Sequence, residues 1–481
     1  MRHSLLRACG VRCLFLVAMT LCLTGFAAIP ATAQTLSFEE VEADPIAADT
    51  RLDELERQLA ELRASMGVQS AVAEVNADSP IRGAEQTSLF QPTDRYTRPP
   101  STAPPVKYPT VVLTGFAQVD GAWFHQEQAN QVAVGDADDL VDFRRARLAA
   151  KGQLAENVAY MLEMDFAFPG RPSFMDVFLD VKQLPGLGTF RVGQWRQPFG
   201  QEALTSVKEL LFLERSIVFS TFLPFRQTGI GVFNTAFDDH VTWAVSAYRY
   251  PTNLFGNVFS DDGYGGSARV TALPFSDDDA NGNVHVGLGY TANTPATDRL
   301  RFRTPPEVGI TALDFNATVA PVPFFVDTGS FPASVYQAVN GEFAASFMSL
   351  LFEAEVLGAF VNQLGGPAVT FSGTYAQAAY VLTGEQHKYN KKSALFGRVV
   401  PDQPCGAGGC GAWELAARWS HVDLNDKNIQ GGRVRNWTVG LNWYLNGFAK
   451  FQFNYIHPLL DSPINGDSSA DIFATRAHFD F

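Results

Sequence analysis

From Trp437 to His457 the chain reads WTVGLNWYLNGFAKFQFNYIH, with apolar and polar residues alternating on both sides of an Asn-Gly pair. Period two marks a β-strand with two unlike faces. The connection between the two runs fixes their register. A two-residue turn at Asn446-Gly447 sets Trp443 opposite Lys450, an aromatic and a charge on one face. A three-residue loop, Asn446 to Phe448, instead sets Trp443 opposite Phe451, Leu441 opposite Phe453 and Val439 opposite Tyr455. A one-residue slip flips every side chain, so the three-residue loop is the consistent choice.

Such alternation continues from Thr110 to Phe481, and no long amphipathic helical pattern interrupts it. In FRRARLAAKGQLAENVAYMLEMDF, a loop at Ala155 to Asn157 puts Leu148, Leu154, Tyr160, Leu162, Met164 and Phe166 on one face. Arg145, Arg147, Lys151, Glu163 and Asp165 share the other, with Arg147 opposite Asp165 and Arg145 opposite Ala167, a less compensated position. A soluble sandwich and a membrane barrel both fit this pattern. Three features favour the barrel. The strands run to about ten residues, enough to cross a bilayer at ~45° tilt. Short turns alternate with long connections, as in outer-membrane barrels. The last strand ends on an aromatic, Phe481. The aromatic faces then point into lipid and the charged faces into an aqueous lumen.

The first 33 residues form a secretory leader. Arg2, Arg7 and Arg12 precede an apolar run from Leu14 to Ala28, and Ala31-Thr32-Ala33 offers a small-residue cleavage site. The formal net charge is −14, and a leader with three Arg and no acid leaves the remainder near −17. That acidity argues against nucleic acid as a partner. It leaves an anion site open, because exposed charges more than ~8–10 Å away are largely screened. Residues 34–66 carry Leu52, Leu55, Leu59, Leu62 and Met66 at coiled-coil spacing. They read as a short periplasmic oligomerising stalk, or as an amphipathic helix on a neighbouring surface. Residues 67–109, rich in Pro, Ser and Thr near their end, read as a linker. The barrel occupies 110–481.

Several stretches resemble the phosphate-selective porin O and P family: FRRARLAAKGQLAENVAYMLEMDFA, RVGQWRQPFGQEALTSVKELLFLERS, ARVTALP, VDTG and WELAARWSHVDLNDKNIQGGRVRNWTVGLNWYLN. The resemblance implies an outer-membrane antiparallel β-barrel of about sixteen strands, a homotrimer, with a constriction loop folded into the lumen and basic residues guiding small anions. The expected substrates are phosphate or related oligo- and polyphosphates. The alternatives are a general porin without phosphate preference and a protein that tethers outer membrane to peptidoglycan through the 34–66 stalk.

The constriction loop would run through PFGQEALTSVKELLFLERSIVFSTFLPFRQTG. Pro198 cannot donate to a ladder and Gly200 permits a sharp turn, so the strand ends there. Beyond lie Thr205, Ser206, Lys208 and Arg215, donors suited to a partly dehydrated oxyanion. Glu202, Glu209 and Glu214 sit among them, so Glu214 and Arg215 could equally brace the loop. On the walls, period two points Arg145, Arg147, Lys151, Arg269, Arg418 and Lys450 inward, and Arg226 flanks the loop. Arg435 shares parity with Trp437 and belongs to the membrane rim.

No cofactor, metal site or enzymatic motif is expected. Asp277, Asp279, Asn281 and Gly282 open like a calcium loop, but position twelve is Leu288 rather than Glu. Ser420 and His421 are adjacent on a strand and face opposite ways. Cys405 and Cys410 flank a Gly-rich segment and are expected to form a disulfide near an extracellular end.

Overall fold

The computed structural model describes residues 107–167, 172–253, 256, 262–277, 282–309, 322–406 and 408–481. The leader, the 34–66 stalk, most of the 67–109 linker, and Asp279 with Asn281 lie outside the described residues.

Sixteen long strands form one antiparallel sheet: β1 (Val112–Gln126), β2 (Leu140–Ala155), β3 (Val158–Asp165), β4 (Ser173–Leu184), β5 (Gly188–Arg196), β6 (Arg226–Ala236), β7 (Val241–Arg249), β8 (Tyr264–Asp277), β9 (Gly282–Thr294), β10 (Phe331–Phe347), β11 (Leu350–Gln363), β12 (Val369–Val381), β13 (Ala412–Asp426), β14 (Ile429–Tyr444), β15 (Ala449–Ser462) and β16 (Gly466–Asp480). The first strand pairs with both β2 and β16, so the sheet closes into a barrel and has no free edge. A two-residue strand, Arg299–Leu300, adds a short pairing beside β10. Among the described residues, three short helices lie in connections: α1 (Gln128–Val134), α2 (Gln201–Leu204) and α3 (Ile217–Phe222).

The register follows the alternation of the sequence. Trp443 pairs with Phe451, Leu441 with Phe453 and Val439 with Tyr455, and Leu445 closes the 446–448 loop onto Ala449. Trp437, Val439 and Tyr455 are exposed on the outer face, while Asn436, Thr438, Asn442, Gln452 and Asn454 are buried inside. Arg147 pairs with Asp165, as the sequence requires. The connection between β2 and β3 differs from the expected three-residue loop. Ala155 pairs with Val158 around a two-residue turn, and the register shifts between Gln153 and Ala155. That bulge keeps the upstream register while allowing the tighter turn.

Turns of two to four residues join β2 to β3, β4 to β5, β6 to β7, β8 to β9, β10 to β11 and β14 to β15. These six lie at the end of the barrel where β1 starts and β16 stops; the other end has two short connections, 427–428 and 463–465, and the rest there are longer. By the usual pattern the end with the six turns faces the periplasm. One connection there is long, residues 382–411 between β12 and β13. It carries Cys405 and Cys410, which are unbonded thiols. Their expected extracellular position is corrected: Cys405 N–H donates to Leu445 O beside the 446–448 turn.

Three connections turn inward. Residues 197–225 carry the fully buried Phe199, Leu204, Phe212, Leu213, Ile217, Phe219 and Phe222. Parts of 295–330 join them, with Phe302 and Phe325 in the same apolar cluster as Phe219 and Phe222. From the turn end, Phe396 packs with Leu211 and Phe212, and Leu395 packs with Leu204. Full burial of each such side chain contributes roughly 1.5–3 kcal/mol. Apolar packing therefore holds these segments inside a lumen whose walls are polar.

Candidate functional site

The inward loop begins where β5 stops. Gly200 has φ 81°, and a Cβ there would lie 2.4 Å from the Phe219 ring. Only glycine satisfies both demands. The backbone then turns through α2, whose first amides are held by a wall carboxylate: Gln201 N–H and Glu202 N–H donate to Glu355 at 2.9 and 2.8 Å. Gly373 on β12 gives room on the opposite side, where a Cβ would meet Val218 at 2.8 Å.

The cations expected to line the pathway are inside the barrel, and most hold carboxylates. Arg145 donates to Gln118 Oε1 at 2.8 Å and to Glu214 Oε2 at 2.9 Å. Its expected lack of compensation is thus corrected, because Glu214 arrives from the inward loop rather than from a neighbouring strand. Arg147 donates to Asp165 at 2.7 Å and lies 3.6 Å from Glu163. Arg226 donates to Asp176 at 2.9 Å and lies 3.7 Å from the same Glu163. Arg269 donates to Glu342 at 2.6 Å on a different part of the wall. Arg418 donates to Glu307 at 2.6 Å and to Glu202 at 3.3 Å.

Glu214 and Glu307 act as anchors. Arg144, Arg145 and Arg476 all reach Glu214. Burial pushes that carboxyl up, but the three guanidiniums outweigh burial and hold it well below the usual range. Glu307 accepts from Arg418, from Ser420 at 2.6 Å and from Thr438 at 2.7 Å. Ser420 therefore serves a structural carboxylate, and His421 is on the opposite face of the strand.

Arg215 is different, because its hydrogen bonds go to carbonyls: Nε to Glu202 O at 2.7 Å and Nη2 to Thr205 O at 2.5 Å. Burial pulls its guanidinium down to about 10 despite the nearby Glu202 and Glu214. Arg196 donates to the same turn, reaching Ala203, Leu204 and Thr205 carbonyls. The Thr205 hydroxyl donates to Gln201 O, and Ser206 Oγ accepts from Lys208 N–H. Arg215 and Thr205 thus brace the loop through its own carbonyls.

Lys208 stands apart. It is on the inward loop yet its side chain is 31% exposed, against 5% for Arg145 and 1% for Arg418. Its ammonium donates to Asp480 at 3.2 Å and lies 6.0 Å from the Phe116 ring centroid. Lys151, half-buried on β2, is near enough to feel its charge. Sequence reasoning missed Asp480, Arg398, Arg476 and Glu307. Parity could have found Arg476, since Phe473, Thr475 and Ala477 are its outward neighbours.

The model of the family described as phosphate-selective porin O and P matches residues 119–481. An uncharacterized protein of Caulobacter vibrioides is 27% identical over 392 residues, covering 73% of this chain and 72% of that protein. Porin O of Pseudomonas aeruginosa is 24% identical over 380 residues, 72% of this chain and 83% of that one. Among solved structures, the anion-selective porin from Comamonas acidovorans aligns with a TM-score of 0.47 at 12% identity, covering 77% of this chain and 99% of that one. The match over three quarters of its length, on a closed sixteen-stranded barrel with an inward loop, places this chain in the phosphate-selective porin O and P family.

Proposed function

We propose that this outer-membrane porin passes small anions, phosphate or related oligo- and polyphosphates, through a lumen whose accessible basic group on the inward loop is Lys208. One observation carries the reading: Lys208 combines a place on that loop with substantial solvent exposure, while Arg145, Arg147, Arg226, Arg269 and Arg418 are committed to carboxylates and Arg215 to carbonyls. A few charges near the narrowest section decide ion selectivity, and low-dielectric walls focus their field. The acidic balance of the whole chain therefore matters little there. The family's description points toward phosphate.

A general porin with weak selectivity is the second reading, favoured by the carboxylates Glu202, Glu214, Glu307, Glu342 and Glu414 that share the interior with the arginines. Planar-bilayer recordings of the purified protein in potassium chloride and potassium phosphate gradients separate the two. Reversal potentials on the anion side, and block of chloride current by phosphate, support the proposal. Cation preference would overturn it.

The assembly we propose is a homotrimer, because β3, β5 and β7 are short for a wall that faces lipid throughout.

A further inference from the structure

Asp480 is the penultimate residue, fixed by its own N–H donating to Phe448 O at 2.8 Å. Its carboxylate joins two inward segments that come from opposite ends of the barrel. Oδ2 accepts from Lys208 of the 197–225 loop at 3.2 Å and from Arg398 Nη2 of the 382–411 segment at 2.8 Å. Oδ1 accepts from Arg398 Nη1 at 3.0 Å, and His478 Nε2 lies 3.7 Å away. Arg398 also donates to Gly447 O at 2.5 Å, so its guanidinium is aimed independently of Asp480.

We propose that Lys208 and Arg398 form a turn-side oxyanion site that Asp480 fills as a built-in competitor, and that Asp480 thereby sets how strongly the pore selects anions. The proposal rests on the anion-channel reading above. A carboxylate and a phosphate present the same chemistry to these donors: two oxygens about 3 Å from an ammonium and a guanidinium fork. A permeating oxyanion competes with Asp480 for both cations. Lys151 is near enough to Lys208 to feel its charge, and Glu209 is a second acid within range of Lys208 and Arg398. Arg398 contacts Asp480 through both oxygens, so breaking that contact also removes an ion pair between the 382–411 segment and the last strand.

The test is a cycle of variants in planar bilayers: Asp480→Asn, Arg398→Gln and the two combined. Asp480→Asn should move the reversal potential toward anions and lower the half-blocking phosphate concentration roughly two- to fivefold, the range a partly exposed ion pair contributes. Arg398→Gln should move both in the opposite direction, and the double variant should fall between. Unchanged values in Asp480→Asn, or shifts of the same sign in both single variants, would overturn the proposal; a shared sign would mean the mouth had merely loosened. Heat-modifiable migration on gels checks assembly, and if Asp480→Asn does not assemble, the sign of the Arg398→Gln shift decides. Cation preference in the unsubstituted pore would remove the anion-channel reading, while the displacement caused by Asp480→Asn would still be measured against it.

Discussion

Arg418 and Lys208 carry the same formal charge inside the same barrel, and their surroundings assign them opposite roles. Arg418 is 1% exposed and binds Glu307 and Glu202, so Arg418→Met leaves two buried carboxylates short of a partner. Breaking a buried pair in this way costs ~3–5 kcal/mol. We expect Arg418→Met to lower the temperature at which the folded barrel loses its compact gel migration. Lys208→Glu, at a partly exposed site, should leave that temperature nearly unchanged and shift the reversal potential toward cations. An unchanged reversal potential would remove Lys208 from the pathway. The sequence made Arg147 beside Asp165 legible, because both lie on neighbouring strands and period two links them. Glu214 against Arg145 and Glu307 against Arg418 were not legible. Those acids arrive on loops, where no periodicity records direction.

Between residue and barrel, the 382–411 segment behaves as a separate inward element with its own anchor. His387 Nδ1 faces Gly397 O at 2.8 Å and Nε2 faces Glu414 Oε1 at 2.5 Å. Both ring nitrogens meet acceptors, so only the protonated imidazolium donates to both. Burial pulls the imidazole down, but Glu414 and the Gly397 carbonyl outweigh burial and hold it above its ordinary value. A raised value means that the stabilisation is complete below the unfolded imidazole range near ~6.5 and is lost as pH rises through the folded value. We therefore expect protease cleavage within 382–411 to accelerate as pH climbs above neutral, and His387→Gln to flatten that dependence. A cleavage rate equally pH-dependent in His387→Gln would exclude this anchor. The sequence marked the 197–225 loop through Pro198 and Gly200, where a ladder must stop. It offered no such mark for residues 382–411. Assigning them to the turn end requires counting every strand before them, since alternation alone does not say which end of a barrel a connection occupies.

At the scale of the whole barrel, wall height is uneven. Strands β3, β5 and β7 have eight or nine residues, whereas β8 to β16 have thirteen to seventeen. Eight residues rising ~3.3 Å each at ~45° span roughly 19 Å, less than the ~25 Å apolar band of an outer-membrane barrel. Lipid against so low a wall would have to thin, or protein must cover it. Cover by two further copies fits a homotrimer, with β3 to β7 facing the shared axis and the taller strands facing lipid. Val192 on β5 and Phe360 on β11 both point outward, 42% and 47% exposed on a single barrel, and so distinguish the two environments. A nitroxide attached to a cysteine at each position, with Cys405 and Cys410 replaced by serine, reports its contact with lipid-dissolved oxygen. The label at 192 should be shielded in the assembled protein and become accessible on dissociation to monomers, while the label at 360 stays accessible in both. Equal oxygen contact at the two positions in the assembled protein would place the shared contact on another wall. The alternation along β5 already put Val192 outside. Which outside it meets, lipid or a second copy, depends on strand length around the whole ring, a property no single strand carries.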